Sequence, residues 1–180
     1  PMRTKLIAYL PRLYRIGRPF RPITNKISNA AWFKKAIGFA PEREVPQLSK
    51  LTLRKWYRKP AELNGNVLGK VYLFADEFTN ENESDIGIKA ILLLNKLGYE
   101  VVIPKHRESG RTFLSKGLLK TAKEIARENV EMLADLISAK TPLIGIEPSA
   151  LLTFRDEYPD LLEGELKTKA QELAKNTLLI

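Results

Sequence analysis

The chain has 180 residues, 44% of them hydrophobic, no cysteine, and a formal net charge of +9. That length suits one compact domain plus an extension, with enough apolar side chains for a real core. The missing cysteine excludes a disulfide framework and every site built on thiolate ligands. No apolar run approaches the ~20 residues that span a bilayer, and no signal peptide is visible, so a cytoplasmic setting is expected.

Residues 1–60 carry 15 Lys/Arg against Glu42 and Glu44 alone, a net of +13, while the remaining residues carry a net of −4. Seven of the 11 prolines also lie there: Pro1, Pro11, Pro19, Pro22, Pro41, Pro46 and Pro60. Proline removes a backbone donor and crowds the preceding turn, so this segment cannot hold long helices. Residues 1–65 are therefore read as a basic, irregular helical arm or connector, and residues 66–180 as an α/β domain. Leu53-Arg54-Lys55-Trp56-Tyr57-Arg58-Lys59 interleaves four positive charges with two aromatics, a pattern that could meet phosphates and stack on bases. A nucleic-acid-binding module is thus one alternative. Docking of the arm on an acidic core or partner is the favoured reading, because Trp32, Phe33, Trp56 and Tyr57 serve equally well as anchors.

From Val71 onward the texture changes. Val71–Ala75 is a short apolar run ending in Asp76, which predicts a buried strand. Residues 85–97 place Ile86, Ile88, Ala90, Ile91, Leu93 and Leu94 on one broad helical face, stopped by Gly98. Tyr99–Pro104 is a second strand. Ser115 then starts a long helix to about Ala139, with Leu118, Leu119, Ala122, Ile125, Ala126, Val130, Leu133 and Leu136 turned inward. Pro142–Ile146 is a third strand. Helical pattern resumes near Ser149, and again from Glu165 to the chain end at Ile180. Alternating strands and helices predict an α/β fold with a three-stranded or slightly larger parallel sheet flanked by helices, flavodoxin-like or Rossmann-like. Both ends look cut: the chain opens Pro-Met and closes in an apolar run, as expected of a piece of a longer polypeptide.

Ligands of open α/β sheets sit beyond the carboxyl ends of the strands. Asp76, Glu77, Thr79 and Asn80 follow the first strand, His106, Glu108, Ser109 and Arg111 the second, and Glu147 and Ser149 the third. These ten residues form a candidate crevice for a small ligand or a divalent cation, since oxygen donors suit Mg²⁺ or Mn²⁺. No spacing among them is a metal motif, however, and carboxylates at loop starts commonly cap helices. His106 reads as a surface loop residue. Glycine-rich dinucleotide and phosphate loops and a nucleophile elbow are absent, and Ser109 has no base within sequence reach. No catalytic residue is assigned.

Several blocks carry a resemblance: Leu73–Asn80, Glu108-Ser109-Gly110-Arg111, Leu114–Leu119 and, most specific, Glu147–Pro159. On these, residues from about 71 to 162 resemble the cysteine-rich (Cys-Cys-Gly) domain of heterodisulfide reductases and of glycolate oxidase iron–sulfur proteins. The arm, with Phe39–Arg43 and Leu53–Tyr57, resembles a connector in fused FAD-linked oxidases of the D-lactate or D-2-hydroxyglutarate dehydrogenase type. The resemblance implies a parent oxidoreductase acting on a 2-hydroxy acid, with FAD and an iron–sulfur cluster as cofactors. Its ferredoxin-like and FAD modules and a second half-domain would be the partners. The family cysteines would fall at Glu77, Glu108, Ser109 and Ala150, none of which is a cysteine. What the resemblance implies for this segment is a structural or docking domain with no cofactor of its own.

Overall fold

The computed structural model describes residues 2–61 and 67–180. The expected boundary between arm and α/β domain, at residues 65 and 66, lies outside the described residues. Four parallel strands form one sheet in the order β2-β1-β3-β4: β1 (Gly69–Leu73), β2 (Tyr99–Val102), β3 (Leu143–Gly145) and β4 (Thr177–Leu179). The chain steps to one side after β1 and to the other for β3, so the strand order reverses between these two neighbours.

The period of two along β1 sets the two faces. Val71, Leu73 and Ala75 pack with Ile91 and Val101 on one side, where helices α5 (Leu53–Trp56) and α7 (Ser84–Lys96) lie. Phe74, with Tyr72 beside it, joins the larger core on the other side. That core is closed by α9 (Leu119–Leu133), α10 (Pro148–Leu152), α11 (Tyr158–Leu161) and α12 (Gly164–Lys175), through residues such as Val130, Leu151 and Leu173. Each such buried aliphatic side chain contributes about 1.5–3 kcal/mol. Between α10 and α11 the backbone widens into a π-turn over Thr153–Glu157. Pro159 has no N–H to return to the carbonyl four residues earlier, which favours that local widening.

Three expectations need correction. The helix expected from Ser115 to about Ala139 is shorter, α9 running only from Leu119 to Leu133, and Ser115 instead follows a separate short helix, α8 (Arg111–Leu114), with Gly117 at φ 69 between the two. Left-handed backbone ends a helix, and Ser115 closes α8 by donating to the Thr112 carbonyl. Leu119, at the start of α9, and Leu136, beyond its end, both expected inward, are exposed. On α7 the inward stripe is narrower than periodicity suggested: Ile88, Ile91 and Leu94 face the sheet, while Ile86 and Leu93 are exposed. Finally, the C-terminal helix stops at Lys175 and Thr177–Leu179 turns into β4. The Asn176 carbonyl accepts from Leu143 and the Ile180 amide donates to Gly145, so pairing with β3 overrides the local helical pattern.

The arm folds as short helices, as its prolines require: α1 (Met2–Ala8), α2 (Leu10–Gly17), α3 (Arg21–Asn29) and α4 (Ala31–Ala36). Pro11 and Pro22 sit in the first turns of α2 and α3, where a missing N–H costs nothing. Asn25 and Asn29, one turn apart, each give and take a hydrogen bond with the backbone of Leu48 and Val45 respectively. Two side-chain amides thereby do for the returning loop what a neighbouring strand would do. The arm reaches the α/β core at Ala8, which is buried against Phe113, Ala122 and Ile125 and whose carbonyl accepts from Thr112 at 2.8 Å.

Candidate functional site

The carboxyl ends of β1 and β2 open into a cavity of 460 Å³, roofed by α2 and α5 of the arm region. Its floor comes from Ala75 after β1, from α6 (Glu77–Glu81) and from residues 105–108 after β2. Asp76 caps α6: its Oδ1 accepts from the amides of Phe78 and Thr79, both at 2.9 Å. Its Oδ2 is buried with no partner among the described residues. Burial, and then the Glu147 charge, raise its pKa, against the pull of those hydrogen bonds.

Glu77 and Ser109 form a closed pair. The Ser109 hydroxyl donates to Glu77 Oε1 at 2.6 Å, and the Ser109 amide donates to Oε2 at 2.9 Å. Both residues are buried, and burial raises the Glu77 pKa while the Ser109 bonds oppose the shift. The pair meets because Gly110, at φ 80, turns the loop sharply into α8.

Glu108 turns the other way, toward the arm. Its carboxylate, 1% exposed, accepts from Arg12 at 2.7–2.8 Å, with Arg15 at 3.7 Å and Arg107 at 3.8 Å. Burial alone would raise its pKa, but its own amide and the Arg12 guanidinium bring it below the ordinary carboxylate value. Arg12 also lies over the rings of Tyr9 and Phe113, so its charge and its stem both tie the arm down. A second tie joins Arg18 to Glu81 at 2.6 Å. With Glu108→Gln the shape stays and the charge goes. The expected result is a loss of about 1–3 kcal/mol in urea unfolding, with faster tryptic cleavage within the arginine-rich arm.

His106 lies in a loop, as expected, but is half-buried on the cavity floor and engaged through both ring nitrogens. Its Nε2 accepts from the Ala75 amide at 3.2 Å and its Nδ1 meets the Arg107 carbonyl at 2.6 Å. That pairing fixes the neutral tautomer with the proton on Nδ1. The ring packs against Phe74, centroid to centroid 4.3 Å. Burial, then the Arg54 charge, pull its pKa down to about 3. A histidine so held is a structural strut, with no lone pair left over for a ligand.

The other candidates divide. Asn80 accepts from the Arg54 amide and donates to Glu81, at the cavity wall, while Thr79 is buried behind it in α6. Glu147 caps α10, accepting from the Ser149 amide and hydroxyl, on the β3 side. Arg111 does not line the cavity; it pairs with Glu157 in the π-turn. Ala150 is buried in the core beside Phe154. Among the described residues no three His, Asp or Glu side chains are grouped to hold a metal ion. The donor set does not suit an iron–sulfur cluster either: sulfur ligands are absent, Glu77 and Ser109 are engaged with each other, Glu108 with the arm, and Ala150 has no donor.

Sequence reasoning missed the braces behind this edge. Asn129 of α9 accepts from the Arg107 amide and donates to the Glu108 carbonyl and to the Tyr158 hydroxyl, which itself donates to the Ser109 carbonyl. A polar residue inside an apolar helical stripe was the available signal.

Comparison with known proteins places relatives beside this geometry. Over 172 residues, 92% of its length, the chain is 26% identical to one component of the anaerobic glycerol-3-phosphate dehydrogenase of Escherichia coli (strain K12), covering 43% of that protein. Across 99% of its length, in an alignment of 199 positions, it is likewise 26% identical to D-2-hydroxyglutarate dehydrogenase of the same strain, covering 19% of that protein. The D-2-hydroxyglutarate dehydrogenase of Pantoea ananatis is 32% identical over 98 residues, 54% of the chain and 10% of the relative. The chain thus spans less than half the length of these curated relatives. No family model matches it. No solved structure matches it.

Proposed function

We propose that this chain is a structural or docking segment of a longer FAD- and iron–sulfur-dependent oxidoreductase that acts on a 2-hydroxy acid. Two dehydrogenases run alongside nearly the whole chain, arm included, which supports the oxidoreductase setting. The observation that carries the docking role is the fate of the four positions where the resemblance puts cysteines. Glu77 and Ser109 satisfy each other, Glu108 anchors the basic arm, and Ala150 fills the core. These residues hold the protein together instead of presenting donors to a cofactor. Hydride acceptance and electron storage would then belong to the FAD and ferredoxin-like modules and to a second half-domain, in a cytoplasmic enzyme. Among the described residues no helix is long and apolar enough to cross a membrane.

The nucleic-acid alternative gains nothing from the geometry. Trp56 and Tyr57 pack against the sheet, with the Tyr57 hydroxyl donating to the Val101 carbonyl, and Arg12 and Arg18 turn inward. Anaerobic incubation of the purified chain with iron and sulfide, followed by desalting, tests the proposal. The protein should emerge colourless with no visible absorbance. A brown product with stoichiometric iron and sulfide would overturn the docking reading.

A further inference from the structure

The cavity between arm and sheet holds an imbalance of charge that the network just described leaves unresolved. Its lining carries Arg15, Arg18, Arg54, Lys55, Lys105 and Arg107 against Glu77, Glu81 and Glu108. The three carboxylates are already committed: Glu81 to Arg18, Glu108 to Arg12 with Arg15 and Arg107 near, and Glu77 to Ser109. Arg107 also pairs with Glu128 outside the cavity. Arg54, Lys55 and Lys105 remain without a carboxylate among the described residues.

Arg54 is the telling member. It is half-buried, and its guanidinium makes one hydrogen bond, to the Pro104 carbonyl at 3.0 Å. A guanidinium has five N–H groups, so most of its donors meet no acceptor among the described residues. Burial, followed by the charge of Arg15, lowers its pKa. Arg54 and Arg15 in turn both depress the pKa of His106 on the floor. Arg54 therefore shares the lining with other cations, while the carboxylates there are engaged by Arg12, Arg18 and Ser109. Gathering partly desolvated like charges is unfavourable unless something of opposite sign offsets it.

We propose that this cavity binds a small multivalent anion bearing carboxylate or phosphoryl groups. Its volume falls within the range of small-ligand sites, and it lies beyond the carboxyl ends of β1 and β2, where open α/β sheets take ligands. Arg54 supplies a planar fork for one anionic group, and Lys55 and Lys105 supply mobile point charges at the rim. His106, held neutral, adds no charge and keeps the floor rigid. The residues engaged differ from those of the expected crevice: Arg111, Glu147 and Ser149 take no part, and the arm contributes Arg15. The inference stands on the cavity's own charges and is independent of the oxidoreductase reading.

Citrate and pyrophosphate, titrated into the full chain by calorimetry at constant ionic strength, test the proposal and separate its two chemistries. At least one should bind saturably near one per chain, citrate pointing to a carboxylate ligand and pyrophosphate to a phosphoryl one. Lys55→Ala/Lys105→Ala removes two exposed side chains and should leave folding intact while weakening binding about tenfold or more. Lys89→Ala/Lys96→Ala on α7 makes the same change in net charge away from the cavity, and should bind as the unmodified chain does. Absence of saturable binding by both anions, or equal weakening in the two double variants, would overturn the site.

Discussion

Asn129→Ala should destabilise the chain by about 3–5 kcal/mol, the largest loss expected from any polar side chain here. Asn129 is fully buried in α9 and holds three groups at once. Its removal leaves the buried Glu108 carbonyl and the part-buried Arg107 amide without this partner, at about 1–3 kcal/mol each, and adds a small cavity. The loop from Arg107 to Ser109 should loosen with it, because the same side chain spaces Glu108 toward the arm and Ser109 toward Glu77. Tyr158→Phe removes only the hydroxyl that joins Asn129 to the Ser109 carbonyl, and should cost about 1–2 kcal/mol. Combining the two should cost less than their sum, since both act on one network. Urea unfolding of the three variants measures this, and a loss under about 1 kcal/mol for Asn129→Ala would remove the brace from the account.

The second large effect is one of pH. His106 is neutral in the fold with its pKa near 3, against 6.5 for the unfolded chain. The unfolded state therefore binds the extra proton between these values, so stability is complete above pH 6.5 and falls as pH drops toward 3. The full shift corresponds to a loss on the order of 5 kcal/mol at the bottom of that window. Glu108, whose pKa is lowered, adds to the loss as pH falls below its ordinary value of 4.5. Glu77 and Asp76 act oppositely: their raised pKa values make the fold the better proton acceptor, which returns some stability at the acid end. The net expectation is a decline that sets in near pH 6.5 and continues toward pH 3, moderated where Glu77 and Asp76 take up protons. His106→Gln keeps an acceptor for the Ala75 amide and removes the titration. It should be less stable than the parent at pH 7.5, yet lose far less between pH 7 and 5. Equal slopes for parent and variant would show that the imidazole is not the group responsible.

Both predictions concern residues that local pattern could not rank. Asn129 sits in a helix whose apolar stripe was plain, but a lone asparagine in such a stripe does not announce three partners at Arg107, Glu108 and Tyr158. His106 lies in a loop of charged residues and reads as solvated until Phe74 and the Ala75 amide are placed against it. The candidate crevice was partly legible for the same reason. Strand ends are found from apolar runs, so Asp76, Glu77, Glu108 and Ser109 could be named, whereas the direction in which each side chain turns depends on loops and distant helices. Arg111 was named with them and turns instead to Glu157.

By itself the sequence determined the alternation of strands and helices, because periods of 2 and 3.6 are written within a few residues of one another. It also determined that residues 1–60 are basic and proline-broken while the rest are mildly acidic, and that these 180 residues supply no thiolate. Only the tertiary structure decided that the terminal leucines form β4, that Arg12 reaches Glu108 across 96 positions, and that Arg54 lines a cavity with more cations than carboxylates. Strand pairing and ion pairing reward contacts between residues far apart in the chain, and no local pattern records which distant surface will be the partner.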